Sequence, residues 1–395
     1  MRTRTSPLPF VVLLGLGLCA CSPASAPTTV ARPLITTSTA VATTAPVTTT
    51  MPELVLPDAP PEWQQLVANL YGPACGGDRS QAATWAIDLP EAEICPSGGS
   101  TTSARVDRWT LVVTEIGDDA FYGVGGDAGW NLAAARIPSL GQQTGWYGVV
   151  PKVVAAVGSD ARPGQEPTAS RADSIHLIGL DGAGGGGVLG IPRDAWVTIS
   201  GGGRNKVNAS LSLGGPAVML QTLADITGLN LDGYVLTGFQ GFEEMMGNVL
   251  GGVDIELAGA VFDRAAGADL PAGAQYLNGP QALALARARK SLDQGDLTRQ
   301  RNGGLLLLAA LRSVKAYGPS HLPTLLQGSA EWISTDLSLE ELLSFAALAI
   351  DTPVAAIGNE VAPGRVGTAG TASVVYLTDA ASAVFTDLAD GSLEP

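Results

Sequence analysis

Hydrophobic residues recur in this chain with two periods, and the switch between them marks the elements. From about residue 150 the pattern is regular. "VPKVVAAVGSDARPG" predicts a buried strand that runs into a loop. "SIHLIGL" and "GVLGIP" predict two strands joined through "DGAGGGG", and "PAVMLQTLADITG" predicts a helix. Pro216 suits the first position of that helix and Gly228 suits its end. "LDGYVLTGF" reads as a strand, "QGFEEMMGNVLGG" as a helix and "VDIEL" as a further strand. "NGPQALALARAR" opens a helix, and "LTRQRNGGLLLLAALRSVKAYG" predicts a longer one. Strands alternating with helices imply a layered α/β domain, here residues 148–395.

The chain before it is less regular. "PEWQQLVANLYG" has the spacing of a short amphipathic helix, and "RWTLVVTEIG" alternates like a strand. Residues 56–147 are therefore expected to form a small accessory module. "DDAFYGVGGDAGW" within it is acidic and glycine-rich but lacks calcium-loop spacing, so it is expected to be a loop. Residues 21–55 are mostly Thr, Ala and Pro, too poor in apolar bulk to order themselves, and read as a flexible tether. Residues 1–20 read as a signal: Arg2 and Arg4 precede a short apolar stretch, Leu8 to Leu18. That stretch falls short of the roughly 20 residues that span a bilayer. "LCAC" resembles a bacterial lipobox, with Cys21 as the lipidated residue. The alternative is an ordinary signal cleaved after "SPASA".

Composition narrows the function. Apolar residues make up 46% of the chain and charged residues 15%, enough for a large core. The formal charge of −15 argues against general nucleic-acid binding, and loss of Arg2 and Arg4 on cleavage takes it to −17. A local anion site is compatible with it. After cleavage only Cys75 and Cys95 remain. Export permits a disulfide between them, worth about 3 kcal/mol for a loop of this length, the alternative being two buried thiols. With no Cys-x-x-Cys pair and only His176 and His321 as histidines, neither a zinc site nor a serine–histidine triad is expected. The glycine run 182–187 precedes a strand rather than a helix, so it is a hairpin connection and no phosphate loop.

The candidate chemistry lies in four loops. In "SDARPGQEPTASRADS", Asp160 closes one strand, Arg162 follows it, and Arg171 and Asp173 stand at the start of the next. Two carboxylates at neighbouring strand ends suit a hard divalent cation. "IPRDAW" supplies Arg193 and Asp194, and "NKVNAS" supplies Lys206 and Asn208. "RARKSLDQGDLTRQR" gathers Arg287, Arg289, Lys290, Arg299 and Arg301 around Asp296. Arg287 and Arg289 share a face only if the chain is extended there, past a helix end.

Taken together and in order, "VGSDARPG", "RADSI", "IPRDAWV", "NKVNAS", "GFQGFEEMMGNVLGGVDIEL", "YLNGPQALALARARK" and "GDLTRQR" resemble the LytR-CpsA-Psr family of cell-wall glycopolymer ligases. The match covers roughly residues 150–317, and the tail resembles actinobacterial members. The resemblance implies a central mixed sheet between helices, with an apolar tunnel for a prenyl chain. It implies an extracytoplasmic phosphotransferase that moves a glycopolymer from a polyprenyl pyrophosphate onto peptidoglycan. By the same resemblance, Asp160 and Asp173 would hold Mg2+ or Mn2+. Arg171, Arg193, Arg287, Arg289 and Arg299 would hold the pyrophosphate, with Lys206 and Asp194 in support, and Asp296 would be the base; Arg193, Asp296 and Arg299 are the expected catalytic set. Cys21 would hold the protein at the outer face of the membrane. Members commonly continue "DLTRQR" with Arg and Gln, where this chain has Asn302, Gly303 and Gly304. That departure favours one alternative, a non-catalytic binder of polyprenyl-linked saccharides; a second is a polyprenyl pyrophosphatase, with water replacing the sugar hydroxyl in the same site.

Overall fold

Strand alternation builds the sheet that carries the site. The structure is a computed structural model that describes residues 53–85, 87–289 and 295–394. Cys21, the signal segment and the tether as far as residue 52 lie outside the described residues, as do Lys290 and Asp293.

The N-terminal part contains α1 (Pro61–Tyr71) and a short α2 (Arg79–Ala82). An antiparallel meander follows, of β1 (Ser100–Val106), β2 (Trp109–Ile116), β3 (Asp119–Gly126) and β4 (Gly129–Arg136). Its strands alternate as the sequence of β2 implies. Val112, Phe121 and Leu132 face Trp63, Val67 and Leu70 of α1, and Cys75 is disulfide-bonded to Cys95 beneath them. Leu111, Val113 and Tyr122 face the other way, against Leu322, Leu343 and Leu348 of two later helices. The segment 118–130, expected as a loop, is strand β3 with the turn into β4. Its glycines are packing positions. A Cβ on Gly123 would run into the Trp63 ring, one on Gly125 into Trp130 and one on Gly126 into Trp109. Aromatic cover supplies the burial that glycine side chains cannot.

The large sheet has the order β15-β10-β5-β6-β7-β16. It comprises β5 (Lys152–Ser159), β6 (Ala172–Leu180), β7 (Gly186–Gly190), β10 (Gly233–Thr237), β15 (Ser334–Thr335) and β16 (Ile357–Val361). β10 runs parallel to β5 and β16 parallel to β7, while β6 runs antiparallel to both β5 and β7, so the sheet is mixed. The smaller pairs are β8 (Trp196–Thr198) with β9 (Arg204–Lys206), β11 (Val253–Leu257) with β14 (Gly273–Leu277), β12 (Val261–Asp263) with β13 (Ala268–Leu270), and β17 (Gly364–Ala369) with β18 (Ala372–Leu377). The remaining helices are α3 (Ala209–Thr227), α4 (Phe239–Glu244), α5 (Gly279–Arg287), α6 (Asp296–Tyr317), α7 (Leu322–Ser329), α8 (Leu339–Asp351) and α9 (Asp379–Asp387).

Period two sorts the sheet residues. Val153, Ala155, Val157, Ile175 and Leu177 pack with Met219 and Leu223 of α3 and Phe385 of α9. Each of the larger of these side chains contributes about 1.5–3 kcal/mol on burial. The alternate positions Ala156, Gly158, Ser174, His176, Val235 and Thr237 face α4, α5 and α6. Several of these are small, and the space they leave becomes the cavity described below. The expected α/β architecture, a mixed sheet flanked by helices, is therefore the observed one.

Local signals hold in detail. The glycine run is a hairpin connection, closed by Asp181 Oδ1, which accepts the N–H groups of Ala183, Gly184 and Gly185 at 2.6, 2.9 and 2.9 Å. Pro216 opens the second part of α3, after Gly215 breaks the helix at φ 72°. α4 continues into a π-helical turn, Met245–Val249. A capping box between Asn278 and Gln281 starts α5. Among the described residues no helix is long and apolar enough to cross a membrane.

Candidate active site

The ends of β5, β6 and β7 and the start of α6 converge. Asp160 follows β5, and its Oδ1 accepts the Arg171 N–H at 3.0 Å while its own N–H donates to the Arg171 carbonyl at 2.9 Å. This closes the loop and sets Asp173, the second residue of β6, beside it. Past β7, Pro192 is followed by Arg193 and Asp194. The Asn208 N–H donates to the Arg193 carbonyl at 3.1 Å, and Lys206 Nζ lies 2.8 Å from Asp194 Oδ1. The two loops are thus tied together.

Two arginines and two aspartates alternate at the centre. The Arg193 guanidinium contacts Asp173 Oδ1, and its Nε is 3.5 Å from Asp296 Oδ1. Arg299, only 2% exposed, places Nη1 3.1 Å from Asp173 Oδ2 and Nη2 2.7 Å from Asp296 Oδ1. The last pair is one helical turn apart in α6, an i,i+3 spacing. Burial pushes the Asp296 carboxyl above its ordinary value, against the pull of Arg299. Arg193 Nε and Arg299 Nη1 are buried and meet carboxylates as ion pairs without hydrogen-bond geometry, while the buried Asp296 Oδ2 makes no hydrogen bond among the described residues. A buried oxygen of this kind is rare and calls for a partner.

Arg287 ends α5, and Ala288 turns extended at φ −63°, ψ 132°. Arg287 and Arg289 consequently reach one cleft, the relation that a two-residue spacing requires. The Arg287 guanidinium lies over the Phe239 ring at 4.7 Å, a cation–π contact. The Arg289 N–H donates to Asp263 Oδ2 at 2.8 Å. Asp160, Arg162, Asp173, Asp263, Arg287 and Arg289 line this cleft of about 270 Å³. Arg171 is exposed and is not among its walls, whereas Arg162 is. The cleft shares Asp173, Phe239 and Arg287 with an apolar cavity of about 160 Å³ between the sheet and helices α4 to α6. Phe242, Met246, Leu283, Leu306 and Leu307 wall that cavity. Of the "LLLL" run, Leu306 and Leu307 face it, while Leu308 packs on Val188 and Ile357.

Sequence reasoning missed His176 and the purpose of Gly303. His176 is fully buried in the cavity wall. Its Nε2 is 2.9 Å from the Gln300 carbonyl and its Nδ1 is 3.2 Å from Ser174 Oγ. The carbonyl can only accept, so Nε2 carries the proton and Nδ1 accepts from the serine. Burial lowers the imidazole pKa to about 4, so it is neutral at pH 7. A Cβ on Gly303 would lie 2.5 Å from His176 Cε1, and one on Gly304 would collide with Asn359. The departure "NGG" is therefore explained by close approach of α6 to the sheet. A histidine in a strand and a glycine three residues after Gln300 in a helix were the available signals, but nothing in the sequence pairs them.

Asp160 and Asp173 both face the cleft. Among the described residues no group of three or more His, Cys, Asp or Glu side chains could hold a metal ion. Two carboxylates fit magnesium bound jointly with substrate phosphates, because that ion keeps water and phosphate oxygens in its shell.

A cleft of arginines and aspartates thus opens onto an apolar cavity at the edge of a mixed sheet. Its sheet end, helix start and loops are those of a family: the chain belongs to the LytR_cpsA_psr family, whose model matches residues 148–389. It is 34% identical over 155 residues to "Probable cell wall biosynthesis protein LcpB" of Corynebacterium glutamicum, covering 36% of this chain and 37% of the relative. It is 30% identical over 185 residues to "Polyisoprenyl-teichoic acid--peptidoglycan teichoic acid transferase TagV" of Bacillus subtilis, covering 44% of this chain and 47% of the relative. The chain thus spans less than half the length of these two curated relatives. The crystal structure of protein gbs0355 from Streptococcus agalactiae superposes with a TM-score of 0.55 at 20% identity, over 62% of this chain and 89% of that one. This likeness speaks for the fold.

Proposed function

We propose that the protein transfers a glycopolymer from a polyprenyl pyrophosphate to peptidoglycan through a phosphodiester. The observation that carries the proposal is the shared wall of the two chambers: Asp173, Phe239 and Arg287 border both the charged cleft and the apolar cavity. A diphosphate with a hydrocarbon tail fits that boundary. The names of the relatives support the same reading, TagV being a polyisoprenyl-teichoic acid transferase.

In this reading the prenyl chain lies along Phe242, Met246, Leu306 and Leu307. Arg287, Arg289 and Arg193 hold the diphosphate, since guanidinium groups pair with phosphate oxygens in bidentate fashion. Arg171, exposed beside Asp160, is an outer contact to the same head, and Lys206 holds Asp194 next to Arg193. Asp296 Oδ2, without a hydrogen-bond partner among the described residues and of raised basicity, takes the proton of the acceptor sugar hydroxyl. The hydroxyl oxygen attacks the phosphorus attached to the glycopolymer. The bond from that phosphorus to the bridging oxygen breaks, and polyprenyl phosphate leaves. Arg193 and Arg299 stabilise charge on the transferring phosphoryl oxygens, where most of the rate enhancement of such reactions arises. Magnesium or manganese held by Asp160 and Asp173 with the diphosphate would neutralise further charge. Lipidation at Cys21 would keep the site at the outer membrane face, next to its substrate.

The test is incubation of the full chain in detergent with a polyprenyl pyrophosphate and magnesium, following polyprenyl phosphate by mass spectrometry. Magnesium-dependent release that is lost in Arg193→Ala is the expected result. Bound lipid without release, even with peptidoglycan fragments as acceptor, would point to a carrier instead. Absence of lipid binding would refute the assignment of the cavity.

A further inference from the structure

A second cleft, of about 760 Å³, lies where the N-terminal sheet meets the large one. It opens at the start of β5, beside Lys152 and Val154, whereas the charged site lies at the other end of that strand. The two are separated by roughly 20 Å at about 3.3 Å per residue. Trp85 and Trp146 from the N-terminal part and Phe345 from α8 provide aromatic walls. Each is only partly buried, so each keeps ring surface open to the cleft.

Charged groups stand among these rings. Lys152 is half-buried and has no ion pair or hydrogen bond of its side chain among the described residues. Burial lowers its pKa, while the nearby charges of Asp232 and Glu341 oppose that shift. Glu340 lines the same cleft, and its carboxyl is pushed up by burial. Asp232 and Glu341 are held in place by backbone contacts. Asp232 Oδ2 accepts the Val153 N–H at 2.6 Å, and Glu341 Oε2 accepts the Ser338 N–H at 2.8 Å.

The combination selects a ligand. A hydrocarbon would strand the Lys152 ammonium without water and strip the water from three carboxylates, at a cost of several kcal/mol. An anionic polymer would meet three acidic side chains and one ammonium. A neutral sugar presents an apolar C–H face to an aromatic ring and a rim of hydroxyls that both donate and accept. Its hydroxyls can donate to Asp232, Glu340 and Glu341 and accept from Lys152. Clefts of this composition, mostly apolar and aromatic with a few placed polar groups, occur preferentially at the junctions of structural units.

We propose that this cleft is a second, non-catalytic saccharide site that takes an uncharged segment of a glycan. The identity of that glycan as the peptidoglycan acceptor rests on the transfer reaction proposed above; the sugar site itself does not. A long glycan held here and at the charged cleft would be bound at two points, and the second contact would then profit from a high effective concentration.

The probe is a series of N-acetylglucosamine oligomers titrated into the full chain, followed by tryptophan fluorescence and calorimetry. Saturable binding is expected, at least 10-fold weaker in Trp146→Ala and in Lys152→Gln but unchanged in Arg193→Ala. Lys152→Gln removes only an unpaired ammonium and guards against misfolding of the tryptophan variant. Polyprenyl pyrophosphate cleavage without acceptor should be the same in Lys152→Gln as in the parent, which separates this site from the reaction. No binding of any oligomer would overturn the proposal. So would binding lost in Arg193→Ala and kept in Lys152→Gln, which would put the sugar in the charged cleft. Displacement of a bound peptide or a prenyl phosphate, with no sugar response, would assign the cleft to another class of ligand.

Discussion

Gly303 of α6 faces His176 of β6 so closely that a single added methyl group would stand 2.5 Å from the imidazole Cε1. The helix carrying Arg299 can settle on the sheet only because this position has no side chain. Two effects oppose each other in Gly303→Ala. Helix propensity favours alanine by about 1 kcal/mol, while overpacking in a fixed core costs about 1–3 kcal/mol. His176 is held at both ring nitrogens, so it has little freedom to yield. Net destabilisation of about 1 kcal/mol is expected, read from urea melts. A stabilised variant would show that the ring moves.

His176 also makes stability depend on pH. Its pKa of about 4 in the fold lies below the ordinary 6.5, so between these values the unfolded chain binds more protons than the native one. Stability then rises with pH through that window and is lost as pH falls from 6.5 towards 4. The full difference amounts to about 3 kcal/mol. The charge of Arg299 acts in the same direction as burial, and the Gln300 carbonyl opposes them. His176→Gln keeps a donor for that carbonyl. Chemical denaturation at pH 7 and pH 4.5 should show a smaller loss in this variant than in the parent.

Asp296 behaves in the opposite sense. Burial raises its pKa above 3.8, so the native state holds this proton more tightly than the unfolded chain does. Its contribution to stability therefore falls as pH rises through the interval between the two values. If it is the base, turnover needs the ionised form. The acid limb of kcat/KM for polyprenyl phosphate release is then expected above the usual aspartate range, and Asp296→Asn should reduce turnover by a factor of 10² or more. An unchanged limb in Asp296→Asn would remove it from the role.

The two central arginines should fail differently. Arg299 is 2% exposed and balances both Asp173 and Asp296. Arg299→Met leaves those carboxylates short of a cation in a buried place, a loss of about 3–5 kcal/mol. Arg193 is more accessible, at 18% for its side chain, and Arg299 remains to pair with its partners. Arg193→Ala is expected to melt within a few degrees of the parent and to lose turnover. Thermal melts with the release assay distinguish the two cases.

Much of this was legible locally. Period-two runs placed β5, β6 and β10, and helical spacing placed α5 and, with Pro216 and Gly228 at its ends, the second part of α3, because backbone geometry and capping act over a few residues. The two-residue spacing of Arg287 and Arg289 already required an extended chain after the helix, and Ala288 is extended. The glycine-rich 118–130 was misread as a loop because its strand is made by rings distant in sequence, Trp63 among them.

Sequence by itself determined most of the elements, the layered α/β architecture and the set of charged residues available for a site, since each of these depends on short-range pattern. Tertiary structure alone decided which charges meet. Asp173 lies 123 positions before Asp296, yet Arg193 and Arg299 bind both, because three strand ends and one helix start converge at one edge of the sheet. It also decided that small residues on one sheet face leave a cavity and that Gly303 answers to His176. Packing between distant segments obeys volume and partner geometry, and neither quantity is written in the order of residues along the chain.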